Sequence, residues 1–339
     1  METSSKSQTN TETLETSAPM SLKERSKLFL KFALVGLVFY YLYRKGLITA
    51  ESFKKLFASP RAVIICSVLM LVNTLLGALR WKVLLETQGA HLPYSRVLKL
   101  NMVGSFFNIA LPGAVSGDFI KAIYVAKHFK DKRPAVFGSI FFDRILGVSA
   151  MVFVGAFSAL LSMYIPWGGS LPPVLLMSIG GIGFAAMLFF IYLFASHKKD
   201  PLFQLLRFFT RRHHRLGMVD RLYLGIMGYR EHPRRILKAI PLSIAIHIIM
   251  IVIAFFITEA ISAQPLPVMA LAVIVPIGML ATAIPVLPAG VGTGHAAFYA
   301  LFKLVGSELG AEVFSLFVLY QVIFGIIGGI IYLQVAAEK

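Results

Sequence analysis

The stretch Asn108-Ile109-Ala110-Leu111-Pro112-Gly113-Ala114-Val115-Ser116-Gly117-Asp118-Phe119-Ile120-Lys121 interrupts an apolar run that extends from Leu100 to Ala126. Unbroken, a run of that length would cross a bilayer as a single helix, because about 20 apolar residues span the hydrocarbon core. Leu111-Pro112-Gly113 and Gly117-Asp118 break it, since proline removes a backbone donor and glycine weakens a helix interior. The pattern returns late in the chain, where Val268 to Leu304 is apolar but broken by Pro285, Pro288, Gly290, Gly292 and Gly294. How these two segments sit against the bilayer decides the fold.

The 339-residue chain is 57% hydrophobic and 14% charged, with a mean hydropathy of +0.77, which is too apolar for a water-soluble domain of that length. Its apolar runs lack the ten-residue alternation of a membrane barrel, so helices are the spanning elements. The formal net charge of +17 does not indicate a nucleic-acid partner, because Lys and Arg lie mainly between and beside the apolar runs and so record topology. The single cysteine, Cys66, sits within an apolar run without a partner for a disulfide or metal site. Residues 1–27 are rich in Ser, Thr and Glu and lack a secretory-leader pattern, so they read as a disordered cytoplasmic tail. A single transmembrane domain over 28–337 follows.

Unbroken apolar runs cover Leu28 to Tyr43, Ala62 to Leu79, Ala135 to Ile165, Pro173 to Ala195, Ile240 to Ile257 and Val313 to Val335. The connector 196–239 carries Lys198, Lys199, Arg207, Arg211, Arg212, Arg215, Arg221, Arg230, Arg234, Arg235 and Lys238, which places it in the cytoplasm. Pro166 to Ser170 and Thr258 to Pro267 carry no Lys or Arg and face outward. Both ends of the first broken segment, Arg80 to Lys99 and Lys127 to Pro134, then lie inside, which makes it a re-entrant hairpin. Both ends of the second lie outside, which makes it a hairpin entering from the opposite face. The expected fold is an all-α polytopic membrane protein of about six spans plus two re-entrant hairpins, arranged span, hairpin, span twice with opposite topology as an inverted repeat. Both termini are then cytoplasmic. Arg44, Lys45, Lys54, Lys55 and Arg61 fit poorly in the first outer connector; either they mark an interfacial amphipathic helix or the first span is misassigned.

Broken helices leave backbone polar groups unpaired at membrane depth, so they line cavities that a polar ligand can enter. The half-helices restarting near Gly117 and Thr293 offer N–H groups and a positive dipole end to an anion, with a lipid phosphate as the obvious candidate. Asp118 and Lys121, at i,i+3, share one helix face. Lys121 either holds a phosphate while Asp118 caps the helix or meets a cationic head group, or the two simply pair. Asp143 and Arg144 sit within an apolar run, roughly two turns from its cytoplasmic end; either they pair with Lys121, Arg80 or a lipid head group, or they form an interfacial structural ion pair that holds the helix ends, and because they point about 100° apart they do not both face one partner squarely. Arg80-Trp81 reads as an interfacial anchor or as ligand-facing. Asn73, Asn101, Asn108, His247 and Gln321 are interhelical glue or cavity lining. His295 follows the second glycine run. Met and Phe are scattered, as on a lipid-facing surface. The candidate substrate-binding set is Arg80, Asn108, Pro112, Gly113, Gly117, Asp118, Lys121, Asp143, Arg144, Pro288, Gly290, Gly292, Gly294 and His295. No nucleophile, metal or NTPase motif is present, and no cofactor is expected.

Asn108 to Lys121, Asp143-Arg144-Ile145-Leu146-Gly147 and Pro285 to Phe298 resemble, in order, motifs of the lysylphosphatidylglycerol synthase transmembrane-region family, also called flippase-like. The resemblance covers about Leu28 to Val335 and implies an eight-segment membrane domain that moves a lipid between leaflets. Members that also synthesise the lipid carry a cytosolic aminoacyltransferase domain after the membrane region; here the sequence reaches Lys339 directly after the last helix, so lipid synthesis is not expected. Lys121 stands where members often carry Arg and His295 where many carry Glu, which leaves the head group open. The resemblance implies a lipid flippase of the bacterial inner membrane, with membrane lipids as ligands and a homo-oligomer or a separate lipid synthase as protein partner. The alternatives are a membrane-embedded transferase using a lipid-linked donor, with Asp118 or Asp143 as general base, or a non-catalytic partner of a synthase.

Overall fold

The computed structural model describes residues 40, 43–44, 50–110, 116–165, 172–195, 217–264, 266–282 and 290–337. Among these residues there are eleven α-helices and no strand: α1 Ala50–Phe57, α2 Pro60–Thr87, α3 Tyr94–Ala110, α4 Ser116–His128, α5 Arg133–Leu161, α6 Pro173–Phe194, α7 Gly217–Met227, α8 Pro233–Ile261, α9 Val268–Thr282, α10 Thr293–Lys303 and α11 Gly310–Ala337. Five are long and apolar enough to cross a membrane, namely α2, α5, α6, α8 and α11. The shortest, α6, has 22 residues and so reaches about 33 Å. Four of them, α2, α5, α6 and α8, carry proline in the first turn, where its missing N–H costs no helical bond. The expected tail 1–27 and nearly all of the expected span Leu28 to Tyr43 lie outside the described residues.

The two broken segments are helical hairpins. α3 has 17 residues, α4 13, α9 15 and α10 11, so none reaches the roughly 30 Å of a hydrocarbon core. α3 packs against α4, and α9 against α10, so each segment turns back on itself. The linking residues 111–115 and 283–289, with Pro112, Gly113, Pro285 and Pro288, lie outside the described residues. The first hairpin closes so tightly that a Cβ on Gly117 would overlap the Gly104 carbonyl and crowd the Asn108 nitrogen at 2.8 Å. In the second, α10 restarts after Gly292, whose φ of +89° disfavours any residue with a Cβ.

Side-chain contacts show that α2 and α8 cross antiparallel at the centre of the molecule. Arg61 pairs with Glu259 at 4.0 Å, Cys66 donates to the Ile253 carbonyl at 3.8 Å, and the Asn73 amide meets the Met250 sulfur at 3.6 Å. Arg80 donates to Ser243 at 3.1 Å, and Arg235 to the Glu86 carbonyl at 2.9 Å. About this crossing the halves exchange partners: α3 of the first hairpin packs on α11, and α9 of the second packs on α5. Within each half the returning arm lies on its own last span, α4 on α5 and α10 on α11. An antiparallel central pair with swapped hairpins is the geometry of an inverted repeat.

Three features differ from the sequence expectation. Phenylalanine is not confined to the lipid face: Phe298, Phe302, Phe314 and Phe317 are fully buried and form an aromatic core under the second hairpin. The basic connector contains a docked helix, α7, whose Gly225 lies against Pro134 and Gly138 of α5. Beyond it, Tyr229 stacks on Phe142 at 4.0 Å and donates to the Leu84 carbonyl at 3.0 Å; burial pushes its phenol well above the usual tyrosine range. Trp81 is wholly buried and so is not an interfacial anchor. The first connector does contain a short amphipathic helix, α1, which buries Leu56 and exposes Lys54 and Lys55.

Candidate functional site

Asp143 lies ten residues into the 29-residue α5, about 15 Å from an end and within about 6 Å of the helix midpoint. An ionised group at that depth is costly unless paired and hydrogen-bonded. Its carboxylate accepts two bonds from Arg80 of α2, Nε to Oδ1 at 2.8 Å and Nη2 to Oδ2 at 3.0 Å. This fork-on-fork contact engages both oxygens. The third edge of the guanidinium reaches Ser243 of α8, so one side chain ties three spans together. His247, one turn further along α8, bonds the Gly147 carbonyl of α5 at 2.9 Å.

The neighbouring Arg144 points away from this pair, toward the first hairpin. It donates through Nε to Asp118 Oδ2 at 2.7 Å, and its Nη2 also contacts that oxygen. The other oxygen, Oδ1, pairs with Lys121 at 2.9 Å. Lys121 is 5% exposed, and three partners surround its ammonium group: Asp118, Asn101 Oδ1 at 3.2 Å and the face of Trp81 at 4.5 Å. Trp81 is held in turn by donating Nε1–H to Ser139 at 3.2 Å. Asn108 accepts the Gly117 N–H at 2.9 Å, which bridges the two arms of the hairpin. The start of α4 therefore already has a side-chain acceptor and an acidic first turn.

Among the described residues, this cluster gathers three cations, Arg80, Lys121 and Arg144, and two carboxylates, Asp118 and Asp143. The Asp118 and Lys121 side chains are 8% and 5% exposed, whereas Arg144 is 45% exposed. The arrangement is a buried ion-pair lattice whose most exposed member is the Arg144 guanidinium.

Of the residues singled out from the sequence, the fold thus brings together Arg80, Asn108, Gly117, Asp118, Lys121, Asp143 and Arg144. Gly290, Gly292, Gly294 and His295 belong to the second hairpin, and Pro112, Gly113 and Pro288 lie outside the described residues. His295 is fully buried; its Nδ1 accepts the Gly292 N–H at 3.3 Å, and its Nε2 meets Ser315 at 3.0 Å. That bonding fixes the proton on Nε2, and Ser315 donates onward to the Ala311 carbonyl at 2.8 Å. The ring stands edge-on to Phe314, against which a Cβ on Gly294 would also collide. His295 therefore closes the start of α10 within the aromatic core.

Sequence reasoning did not single out Trp81 as the platform for Lys121, nor Ser139 and Ser243 as partners of the cluster. The only signal for the two serines was polarity within an apolar span. Among the described residues, no group of three or more His, Cys, Asp or Glu side chains is placed to hold a metal.

A family model described as the lysylphosphatidylglycerol synthase TM region matches residues 28–330, which includes both hairpins and the whole charged cluster. No curated protein and no solved structure matches the chain. With the multi-span fold and an extent of match that covers nearly every described helix, the chain belongs to the lysylphosphatidylglycerol synthase transmembrane-region family.

Proposed function

We propose that this protein moves an anionic phospholipid between the leaflets of the bacterial inner membrane, with Arg144 as the contact for the head-group phosphate. The observation that carries this reading is the Arg144 guanidinium, 45% exposed on the rim of an otherwise buried ion-pair cluster beside the first hairpin. A guanidinium exposed at membrane depth is costly, and an anionic head group compensates it. Arg80 and Lys121 hold the two carboxylates and shape the site. Arg144 offers a planar fork that matches phosphate oxygens.

Sidedness follows from basic residues. Lys132 reaches the Gly89 carbonyl and Arg235 the Glu86 carbonyl, so the ends of α2, α5 and α8 nearest the cluster meet at one face of the bundle. Arg96, Lys127, Lys130, Arg133, Arg234 and Lys238 share the segments at this face, which supports its being cytoplasmic. An anionic lipid collected there moves outward down an inside-negative potential, gaining about 2.3 kcal/mol per charge per 100 mV. A transferase reading gains no support from the carboxylates: Asp143 is held through both oxygens by Arg80 and Asp118 is shared by two cations, so each is committed to ion pairs rather than poised as a general base.

The test is reconstitution of the full chain into vesicles that carry acyl-labelled phosphatidylglycerol or phosphatidylcholine, with flipping read by a membrane-impermeant quencher. The protein should accelerate phosphatidylglycerol selectively, and an imposed potential should bias the direction. Equal rates in protein-containing and protein-free vesicles would contradict the proposal.

A further inference from the structure

We infer that the groove between α6 and α7 is a binding site for a phospholipid of the cytoplasmic leaflet: one acyl chain lies in the groove and the phosphate meets Arg230 at its lip. The site goes beyond transport and uses no member of the charged cluster. α6 packs chiefly on α5 and touches the turn Gly228–Glu231 that follows α7. Its last turns stand off from α7 and leave a groove of about 560 Å³, lined by Ala185, Leu188, Phe189 and Tyr192 of α6 and by Tyr223 and Met227 of α7. Phe189 and Met227 also pack on the buried core that contains Leu193 and Tyr229, which gives the groove a fixed floor.

The groove's walls, length and charged end select its occupant. The walls are aliphatic and aromatic carbon, and an unfilled apolar void forfeits dispersion contacts without attracting water. The groove follows α6 from Ala185 to Ala195, about 15 Å along the helix, which is the depth of one leaflet in a core of about 30 Å. The Tyr192 and Tyr223 hydroxyls meet at 3.3 Å near the end of α6, at the level where tyrosine favours head groups. Just past them Arg230 is half-buried and fixed at the lip: Nε donates to the Leu193 carbonyl at 2.9 Å, and Nη2 lies 3.5 Å from the Met227 sulfur. A guanidinium carries five N–H donors, so capping α6 and meeting phosphate oxygens are compatible. An apolar slot one leaflet deep, with a cation at its head-group end, complements a lipid that bears a phosphate and offers a neutral lipid no equivalent contact. A chain seated there bridges α6 and α7, so the lipid becomes part of the packing that docks the connector helix on the bundle.

The experiment reconstitutes the full chain in nanodiscs with trace phosphatidylglycerol, phosphatidylcholine or diacylglycerol, each carrying the same photoreactive acyl chain, and maps the labelled residues. Both phospholipids should label 185–195 and 223–227 about tenfold more than diacylglycerol does. Met177, which is 77% exposed nearer the other end of α6, should be labelled equally by all three. Arg230→Gln should abolish the difference in the groove, and Leu188→Trp, which fills the groove from a position 48% exposed, should lower phospholipid labelling there. Equal labelling of the groove by diacylglycerol and phospholipids in wild type is ordinary lipid contact and overturns the site. A difference that survives Arg230→Gln overturns the role of that arginine. No label in the groove, with crosslinks there to residues 196–216 or to a second copy, assigns it a protein occupant and overturns the lipid. Both phospholipids carry the phosphate, so equal labelling by the two separates this site from the Arg144 contact, whose reading stands or falls in the flipping assay.

Discussion

Arg80 and Arg144 are both arginines facing aspartates, yet their surroundings give them opposite roles. Arg80 makes a two-bond contact with Asp143 and a third bond to Ser243, all within the span bundle. Removing one partner of such a pair leaves a buried charge uncompensated, at a cost of about 3–5 kcal/mol. Asp143→Ala and Arg80→Ala should therefore lower the melting temperature in detergent sharply. Arg80→Lys should restore little of it, because an ammonium cannot span both oxygens. Arg144→Gln should leave melting nearly unchanged, since that side chain is 45% exposed and Lys121 still pairs with Asp118. A large loss of stability in Arg144→Gln, matching that of Arg80→Ala, would make Arg144 a structural strut. The i,i+3 pair Asp118 and Lys121 was legible from spacing alone, as was the divergence of Asp143 and Arg144. Which cation meets which carboxylate was not, because Arg80 and Asp143 are 63 positions apart and only the packing of α2 on α5 joins them.

The hairpins and the central crossing account for how the cluster is assembled. Gly117 lets α4 approach α3 until a Cβ would overlap the Gly104 carbonyl, and that approach brings Lys121 over Trp81. Gly117→Ala should splay the hairpin, lower the melting temperature and reduce flipping together; full retention of both would mean the close approach is dispensable. The antiparallel crossing of α2 and α8 has its own check. In a Cys66→Ala background, cysteines at Asn73 and Met250 should be joined by a short thiol crosslinker, whereas cysteines at Asn73 and Glu259 should not. The broken segments were readable because proline and glycine inside apolar runs forbid straight spans. Helix α7 was missed because the charge of its surroundings drew the reading; its signal was the apolar spacing of Val219, Leu222 and Ile226 within Gly217–Met227. The burial of Trp81 went unread because tryptophan beside arginine at a span end has the same composition whether it faces lipid or a neighbouring helix.

At the scale of the whole molecule the backbone repeats itself but the chemistry does not. The first hairpin sits on ionised groups, Asp118, Lys121 and Arg144, while the second sits on His295 and the buried rings of Phe298, Phe314 and Phe317. An inverted repeat with one charged half gives a site that is weighted toward one leaflet, which suits collection of a charged lipid from the side where basic residues gather. Under an inside-negative potential this protein should therefore move phosphatidylglycerol outward faster than inward, and collapsing the potential should reduce the bias. The central claim is that the exposed Arg144 guanidinium selects an anionic head group, and it is tested most directly by flipping of labelled phosphatidylglycerol in vesicles reconstituted with wild type, Arg144→Lys or Arg144→Gln. Arg144→Lys should retain part of the rate and Arg144→Gln should lose it by at least about tenfold, with the protein still folded. A wild-type rate in Arg144→Gln would contradict the account.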